Sequence, residues 1–191
     1  MNLNSLTFSG ETIVITGGAS GIGREVARCA AAAKLNVCIW DIDPTALNAL
    51  EHELSEKTYV FTALIDVSRQ DEVNECMKTI TKTLNLSYLV NSAGILGQKT
   101  PIDHYDDGTW QKVISTNLNG VFHTMKAALP TLRKKQFGRI VNVSSVSGKD
   151  GSPNVAGYTA SKAGIIALTK GVAKECAQDN ILVNCVTPAI T

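Results

Sequence analysis

Tyr158 and Lys162 stand four residues apart in GYTASK (157–162), a spacing that puts both side chains on one face of a helix. A phenol titrates near pH 10, so acid or base work near neutrality needs its pKa lowered by about three units, or ~4 kcal/mol. An ammonium about 4 Å away supplies an energy of that size at an effective dielectric of about 20, and a positively charged nicotinamide would add to it. A tyrosine and a lysine can also meet at this spacing by chance on a surface. Ser145 gives the pair a context: it closes the apolar run GRIVNVSS (138–145), 13 residues before Tyr158. A parallel sheet offers its ligands the carboxyl ends of its strands, and a hydroxyl there could hydrogen-bond a substrate carbonyl or alkoxide. Ser144 reads as its inert neighbour.

A second chemical feature lies near the start. The run TIVIT (12–16) leads into TGGASGIG (16–23) and then into a helical pattern. Gly17, Gly21 and Gly23 allow a tight turn, close approach of backbone to a pyrophosphate, and close packing of helix on strand, while the helix N-terminus offers free N–H groups. Strand before and helix after is the context such a turn requires. A Walker-type phosphate loop would need Lys and a hydroxyl after the last glycine, but Gly23 is followed by Arg24 and Glu25. The Gly-x-Ser-x-Gly hydrolase elbow fails as well, because Gly18-Ala19-Ser20-Gly21-Ile22 has the wrong spacing. Asp41 ends the second apolar run, 18 residues past Gly23, where a carboxylate accepts hydrogen bonds from the adenosine ribose. The same charge repels a 2′-phosphate, and position 20 is Ser and position 42 is Ile, neither a counter-charge. The expected cofactor is NAD, with NADP the weaker alternative.

These residues need a scaffold. Six Val- and Ile-rich runs, TIVIT, NVCIWD (36–41), YVFTALID ending at Asp66, LSYLV (86–90), GRIVNVSS and ILVNCV (181–186), alternate with segments of helical period such as Val73, Met77, Ile80 and Leu84. Continuous apolar runs suit parallel strands buried on both faces. Strand and helix alternating along the whole chain imply an α/β fold, a doubly wound parallel sheet with right-handed crossovers and helices on both faces. No linker or low-complexity tract interrupts it, so residues 1–191 are expected to form a single Rossmann domain.

Taken together, TGGASGIG, LVNSAG (89–94), Asn117 in STNLNG, Ser145, YTASK and the final VNCVTPA resemble the short-chain dehydrogenase/reductase family in order and spacing. The resemblance implies that Tyr158 is the general acid/base, that Ser145 orients and polarises the substrate oxygen, and that Lys162 holds the nicotinamide ribose. It implies that Asn117 bends its helix and anchors a water in a proton relay. Gly17, Ser20, Gly21, Ile22 and Gly23 would border the pyrophosphate, Asp41 and Ile42 the adenosine ribose, and Asp66 and Val67 the adenine. Asn91, Ala93 and Gly94 would line the cofactor beside the fourth strand, and Pro188 would begin the loop over the nicotinamide. Two departures stand out: Asn-Ser-Ala-Gly at 91–94 for the family's Asn-Asn-Ala-Gly, and Pro188-Ala189 for its Pro-Gly, which restricts φ in that loop.

The activity so implied is hydride transfer between NAD and a small-molecule secondary alcohol or ketone. An NADP-dependent 3-oxoacyl-carrier-protein reductase and a non-catalytic nucleotide-binding module are the alternatives. The family also implies a homodimer or homotetramer built on the helices at about 107–135 and 155–178. A net charge of +1 with scattered Lys and Arg leaves no footprint for nucleic acid. Five widely spaced cysteines without CxxC, together with His52, His104 and His123 outside any ligand pattern, point to reduced structural thiols in a cytoplasmic protein and to no metal. MNLNSLTFSGE lacks a signal-peptide pattern, and no apolar run is long enough for a membrane. The ending VNCVTPAIT (183–191) reads as a sixth strand and the start of a loop, with the family's substrate-covering helices and seventh strand absent. The expectation is a C-terminally truncated chain that binds NAD weakly and turns over poorly, since a lid excludes water and completes a pocket.

Overall fold

A computed structural model describes Phe8 and residues 10–189. Residues 1–7 and 9, which belong to the stretch MNLNSLTFSGE, and residues 190–191 lie outside the described residues. The element order is β1 (Thr12–Thr16), α1 (Gly21–Ala32), β2 (Asn36–Asp41), α2 (Pro44–Leu54), β3 (Val60–Leu64), α3 (Gln70–Thr83) and β4 (Leu86–Asn91). There follow α4 (Asp107–Ile114), α5 (Gly120–Lys135), β5 (Gly138–Val143), α6 (Ser147–Asp150), α7 (Ala156–Glu175) and β6 (Ile181–Val186). All six strands run parallel in one sheet of order β3-β2-β1-β4-β5-β6. This is the Rossmann-type doubly wound sheet expected from the alternating pattern.

The order reverses between β1 and β4, which therefore sit at the centre, buried along their whole length. Continuous apolar sequence is the consequence of that double burial. On one face, Ala27, Ala30 and Ala31 of α1 and Leu47, Leu50 and Leu54 of α2 pack on Ile13, Ile15, Val37 and Ile39. The alanines let α1 approach the sheet closely. On the other face, α3 (Val73, Met77, Ile80), α5 (Val121, Met125, Leu132) and α7 (Ile165, Val172) cover Val14, Cys38, Trp40, Leu89 and Ile140. Each fully buried aliphatic side chain contributes about 1.5–3 kcal/mol. α2 starts sharply because Asp43 accepts from the Thr45 and Ala46 N–H groups at 2.9 and 3.0 Å and Pro44 occupies the first turn.

Three details differ from the sequence reading. The long helix over 107–135 is two helices joined by one π turn, Ser115–Asn119, closed by the Gly120 N–H to the Ser115 carbonyl. The stretch 147–154 contains the short helix α6, and a 3₁₀ turn spans Ile102–His104. On the α1 and α2 side, the part of the sheet around β4 and β5 carries an open apolar groove of about 370 Å³ lined by Tyr88, Val90, Phe137 and Val141, with Phe8 at its edge. No described helix is long and apolar enough to cross a membrane.

Candidate active site

A cleft of about 740 Å³ opens at the carboxyl ends of β1, β2, β4 and β5, where the strand order reverses. Its first wall is the glycine turn. Gly17 and Gly21 have φ of +61° and +48°, which favour glycine, and a Cβ on Gly17 would lie 2.7 Å from the Ala93 backbone. Gly23 is buried beneath the turn, where a Cβ would overlap the Gly17 carbonyl. Ser20 precedes α1 in extended conformation without a side-chain cap, and the first turn of α1 carries no acid. The first-turn N–H groups are thus left for an anion, and nothing stands within 4 Å of where a Cβ on Gly21 would point. Open space at Gly21 and uncapped donors at α1 fit the diphosphate of a dinucleotide.

Asp41 forms the second wall. Its Oδ2 accepts from the Ala19 N–H at 3.0 Å and its Oδ1 from the Ile42 N–H at 2.8 Å, so backbone on both sides holds the carboxylate at the strand end. Ile42, Asp66 and Val67 continue the lining. Asp66 Oδ1 accepts from the Ser68 N–H and hydroxyl at 2.9 and 2.7 Å, and His123 Nδ1 lies 3.0 Å from the Val67 carbonyl oxygen.

The third wall is formed by β5 and α7. Ser145, Tyr158 and Lys162 line the cleft with Ala93, Gly94 and Pro188. Lys162, only 4% exposed, donates from Nζ to the Val143 carbonyl at 2.7 Å and stands 5.5 Å from the centre of the Tyr158 ring. Burial disfavours its charge and lowers its pKa from 10.5 to about 8, against a smaller opposing effect from Cys185. Ser145 Oγ accepts from the Ser147 N–H at 3.2 Å, which leaves its proton available to a ligand. Ser144 is not idle: its hydroxyl donates to the Lys162 carbonyl at 2.7 Å and ties α7 to β5. The Val146 N–H donates to the Pro188 carbonyl at 3.1 Å, tying the segment after β6 to the loop after Ser145.

Three residues anticipated for the site stand behind the cleft surface. Asn117 is fully buried; its Oδ1 accepts from the Ile95 N–H at 2.8 Å, and its Nδ2 donates to the Ile95 carbonyl at 2.9 Å and to Ser161 Oγ at 3.0 Å. It joins the π turn to the loop after Gly94 and to α7. Asn91 does not line the cleft, because its side chain turns into the sheet and donates to Asn142 Oδ1 at 2.8 Å. Gly23 packs below its own turn. The sequence reading missed Lys112 and Thr116, which line the cleft from α4 and the π turn. Their i, i+4 spacing around Asn117 is the signal that could have placed them. Among the described residues, no group of three or more His, Cys, Asp or Glu side chains is placed to hold a metal ion.

A doubly wound sheet with a glycine turn, a carboxylate at the end of β2 and a Ser-Tyr-Lys wall is the framework of a Rossmann oxidoreductase that takes a nicotinamide dinucleotide. The chain belongs to the short-chain dehydrogenase family, whose model matches residues 11–191. It is 38% identical over 183 residues to a 2-dehydro-3-deoxy-L-rhamnonate dehydrogenase (NAD(+)) of Sphingomonas sp. strain SKA58, a match covering 95% of this chain and 72% of the relative. A 3-oxoacyl-[acyl-carrier-protein] reductase of Chlamydia trachomatis serovar D is 37% identical over 93% of this chain and 73% of the relative. Among solved structures, an NAD+-bound xylitol dehydrogenase superposes with a TM-score of 0.91 at 30% identity, covering 96% of this chain and 72% of that one. The protein is an oxidoreductase of the class that acts on CH–OH and keto groups.

Proposed function

We propose that this chain carries out reversible hydride transfer between NAD and a small secondary alcohol or ketone, with Tyr158 as general acid/base. The observation that carries the proposal is the meeting of Ser145, Tyr158 and Lys162 on one wall of a cleft whose far end holds Asp41. The nicotinamide would supply the hydride acceptor or donor, held by Lys162 and the segment at Pro188, with the glycine turn on its diphosphate and Asp41 on its adenosine ribose. In oxidation, Ser145 donates to the substrate oxygen and holds it beside Tyr158. Tyr158 takes the hydroxyl proton onto its phenolate oxygen as the C–H bond is given up, and returns it in the reverse direction. Lys162 favours the phenolate by its charge. One of its three N–H donors is committed to Val143, and the remaining two are free for ribose hydroxyls. Asn117 acts from behind, fixing Ile95 and α7 relative to each other, and is proposed to anchor a relay water through its π turn.

NAD is favoured because Asp41 is held in place by three backbone donors, those of Ala19, Ile42 and Asp43, and would oppose a 2′-phosphate. The acyl-carrier reductase is the second reading, supported by the 37% identity to the chlamydial enzyme. The 38% identity to a sugar-acid dehydrogenase supports a polyhydroxylated substrate instead. Phe122, 44% exposed on α5, supports a homodimer or homotetramer through that helix, and five cysteines without a disulfide support a place in the cytoplasm. Tyr158→Phe tests the central claim. Turnover of any alcohol or ketone that the wild type accepts is expected to fall about 10²–10⁴-fold while NADH still binds. Unchanged turnover would remove Tyr158 from the chemistry.

A further inference from the structure

Four buried polar side chains cross the middle of the sheet behind the cleft. The Thr124 hydroxyl of α5 donates to Asn91 Oδ1 of β4 at 2.7 Å, Asn91 Nδ2 donates to Asn142 Oδ1 of β5 at 2.8 Å, and Asn142 Nδ2 donates to Thr169 Oγ1 of α7 at 2.9 Å. Thr169 gives its own proton to the Ile165 carbonyl one turn back, at 2.7 Å, so its oxygen can only accept from Asn142. All four are at most 4% exposed. Stability alone does not require such a network, because apolar side chains of the same shape at both partners of a buried bond can serve nearly as well. A fully satisfied buried network instead specifies one arrangement of the elements it joins.

The arrangement specified is the seat of α7. Three successive residues, the last two of β5 and the one that follows it, hold that helix: Asn142 through Thr169, Val143 by accepting from Lys162 Nζ, and Ser144 by donating to the Lys162 carbonyl. The last two bonds share one residue and the Asn117–Ser161 bond adds its neighbour, so these polar anchors all sit at one point of the helix, and the apolar packing of Ile165 and Val172 carries no directional bond against tilt. Thr169 lies seven residues further along, about 10 Å down the axis at 1.5 Å per residue. A second anchor at that separation fixes the tilt.

We propose that Thr169 is a positioning residue: through Asn142 it fixes the tilt of α7 on β5 and thereby the depth at which Lys162 and Tyr158 stand in the cleft. The catalytic importance of that depth rests on the hydride-transfer reading above; the effect on Lys162 itself does not. The ammonium is buried against Val143 and Gly94, with the titratable groups Tyr158 on its own helix and Cys185 on β6 beside it. Loosening α7 admits water to it.

The test is the titration of Lys162 in the cofactor-free chain, followed by NMR of ¹³C-dimethylated lysines, with the Lys162 signal assigned by its loss in Lys162→Arg. Thr169→Val is expected to raise the Lys162 midpoint by about half a unit or more, and Thr169→Ser, which keeps the oxygen, to restore it. In steady-state assays Thr169→Val is expected to lower kcat about tenfold, again with recovery in Thr169→Ser. Should the valine variant fail to fold, Thr169→Ala carries the same expectations. A lower melting temperature with an unmoved Lys162 midpoint would overturn the proposal and leave Thr169 a core residue only. A moved midpoint in a chain whose wild type turns over no alcohol or ketone would sink the hydride-transfer reading and leave the positioning role standing. An active wild type whose Thr169→Val variant keeps both midpoint and kcat would sink the positioning role alone.

Discussion

Lys162→Met is expected to make the protein more stable and less active. The wild-type ammonium is buried, and its pKa of about 8, against 10.5 for an ordinary lysine, measures what the fold gives up to keep it charged at pH 7. That lowering is worth on the order of 3 kcal/mol. Met fills a similar volume without a charge, so this penalty disappears. Against the gain stands the lost hydrogen bond to the Val143 carbonyl, which costs about 1–2 kcal/mol when a buried acceptor loses its donor. The net is a stabilisation of about 1–2 kcal/mol, or a rise in Tm of about 2–8 °C for a domain of this size. The sign reverses with pH in a defined window. Between about pH 8 and 10.5 the folded wild type has released the proton and the unfolded chain still holds it, so wild-type stability rises with pH there. Groups remote from Lys162 titrate equally in both proteins, and the gap between variant and wild type therefore narrows over that window. Urea unfolding of both proteins at pH 7, 8, 9 and 10 reads the gap directly. A methionine variant less stable than wild type at pH 7, or a gap that does not narrow by pH 10, would refute the account of Lys162 as a charge held at the expense of stability.

Asp41→Ala removes the ribose acceptor and the charge facing a 2′-phosphate, so NADH binding is expected to weaken about tenfold while NADPH binding holds or improves; fluorescence titration with both cofactors checks it, and a parallel loss of both would contradict the proposed role. Gly23→Ala places a methyl against the Gly17 carbonyl and is expected to cost about 1–3 kcal/mol by overpacking, with NADH binding lost, as read by urea unfolding and titration. Asn117→Ala leaves the half-buried Ile95 N–H and carbonyl without their partners, so faster hydrogen exchange is expected at Ile95, with kcat lowered more than NADH affinity. If residues 1–191 form a single domain, tryptophan fluorescence and far-ultraviolet circular dichroism will report one coincident urea transition, whereas separated midpoints would divide it.

Much of the fold and half of the site were open to a reading of the sequence because they rest on backbone demands. A turn that needs φ of +61° at Gly17 and +48° at Gly21 allows few residue types, so the requirement is written in the glycines themselves. β1 and β4 are buried on both faces and show it as unbroken apolar runs. The π turn left no such mark: residues 107–135 keep a helical period through it, and one extra residue in a single turn is too small a slip for periodicity to reveal. Asn91 was misplaced for a related reason. Its position at a strand end near the cleft was right, but its direction depends on Asn142 in the neighbouring strand, and only the β4–β5 register brings the two opposite each other.

That difference separates the two walls of the cleft by how they are built. The cofactor wall is made by excluding side chains, so any Cβ at Gly17 or Gly23 meets backbone and nothing nearby can yield. The acid–base wall is made by joining side chains across strands: Ser144 and Lys162 hold the start of α7, Asn117 reaches Ser161, and Asn142 holds Thr169. Each of those bonds is worth only about 1 kcal/mol net, and together they must oppose the cost of a buried lysine. Conservative changes on the two walls should therefore fail differently. An added methyl on the glycine wall removes cofactor binding outright, whereas loss of one hydroxyl on the α7 wall leaves a folded, cofactor-binding protein whose tyrosine and lysine stand slightly out of place.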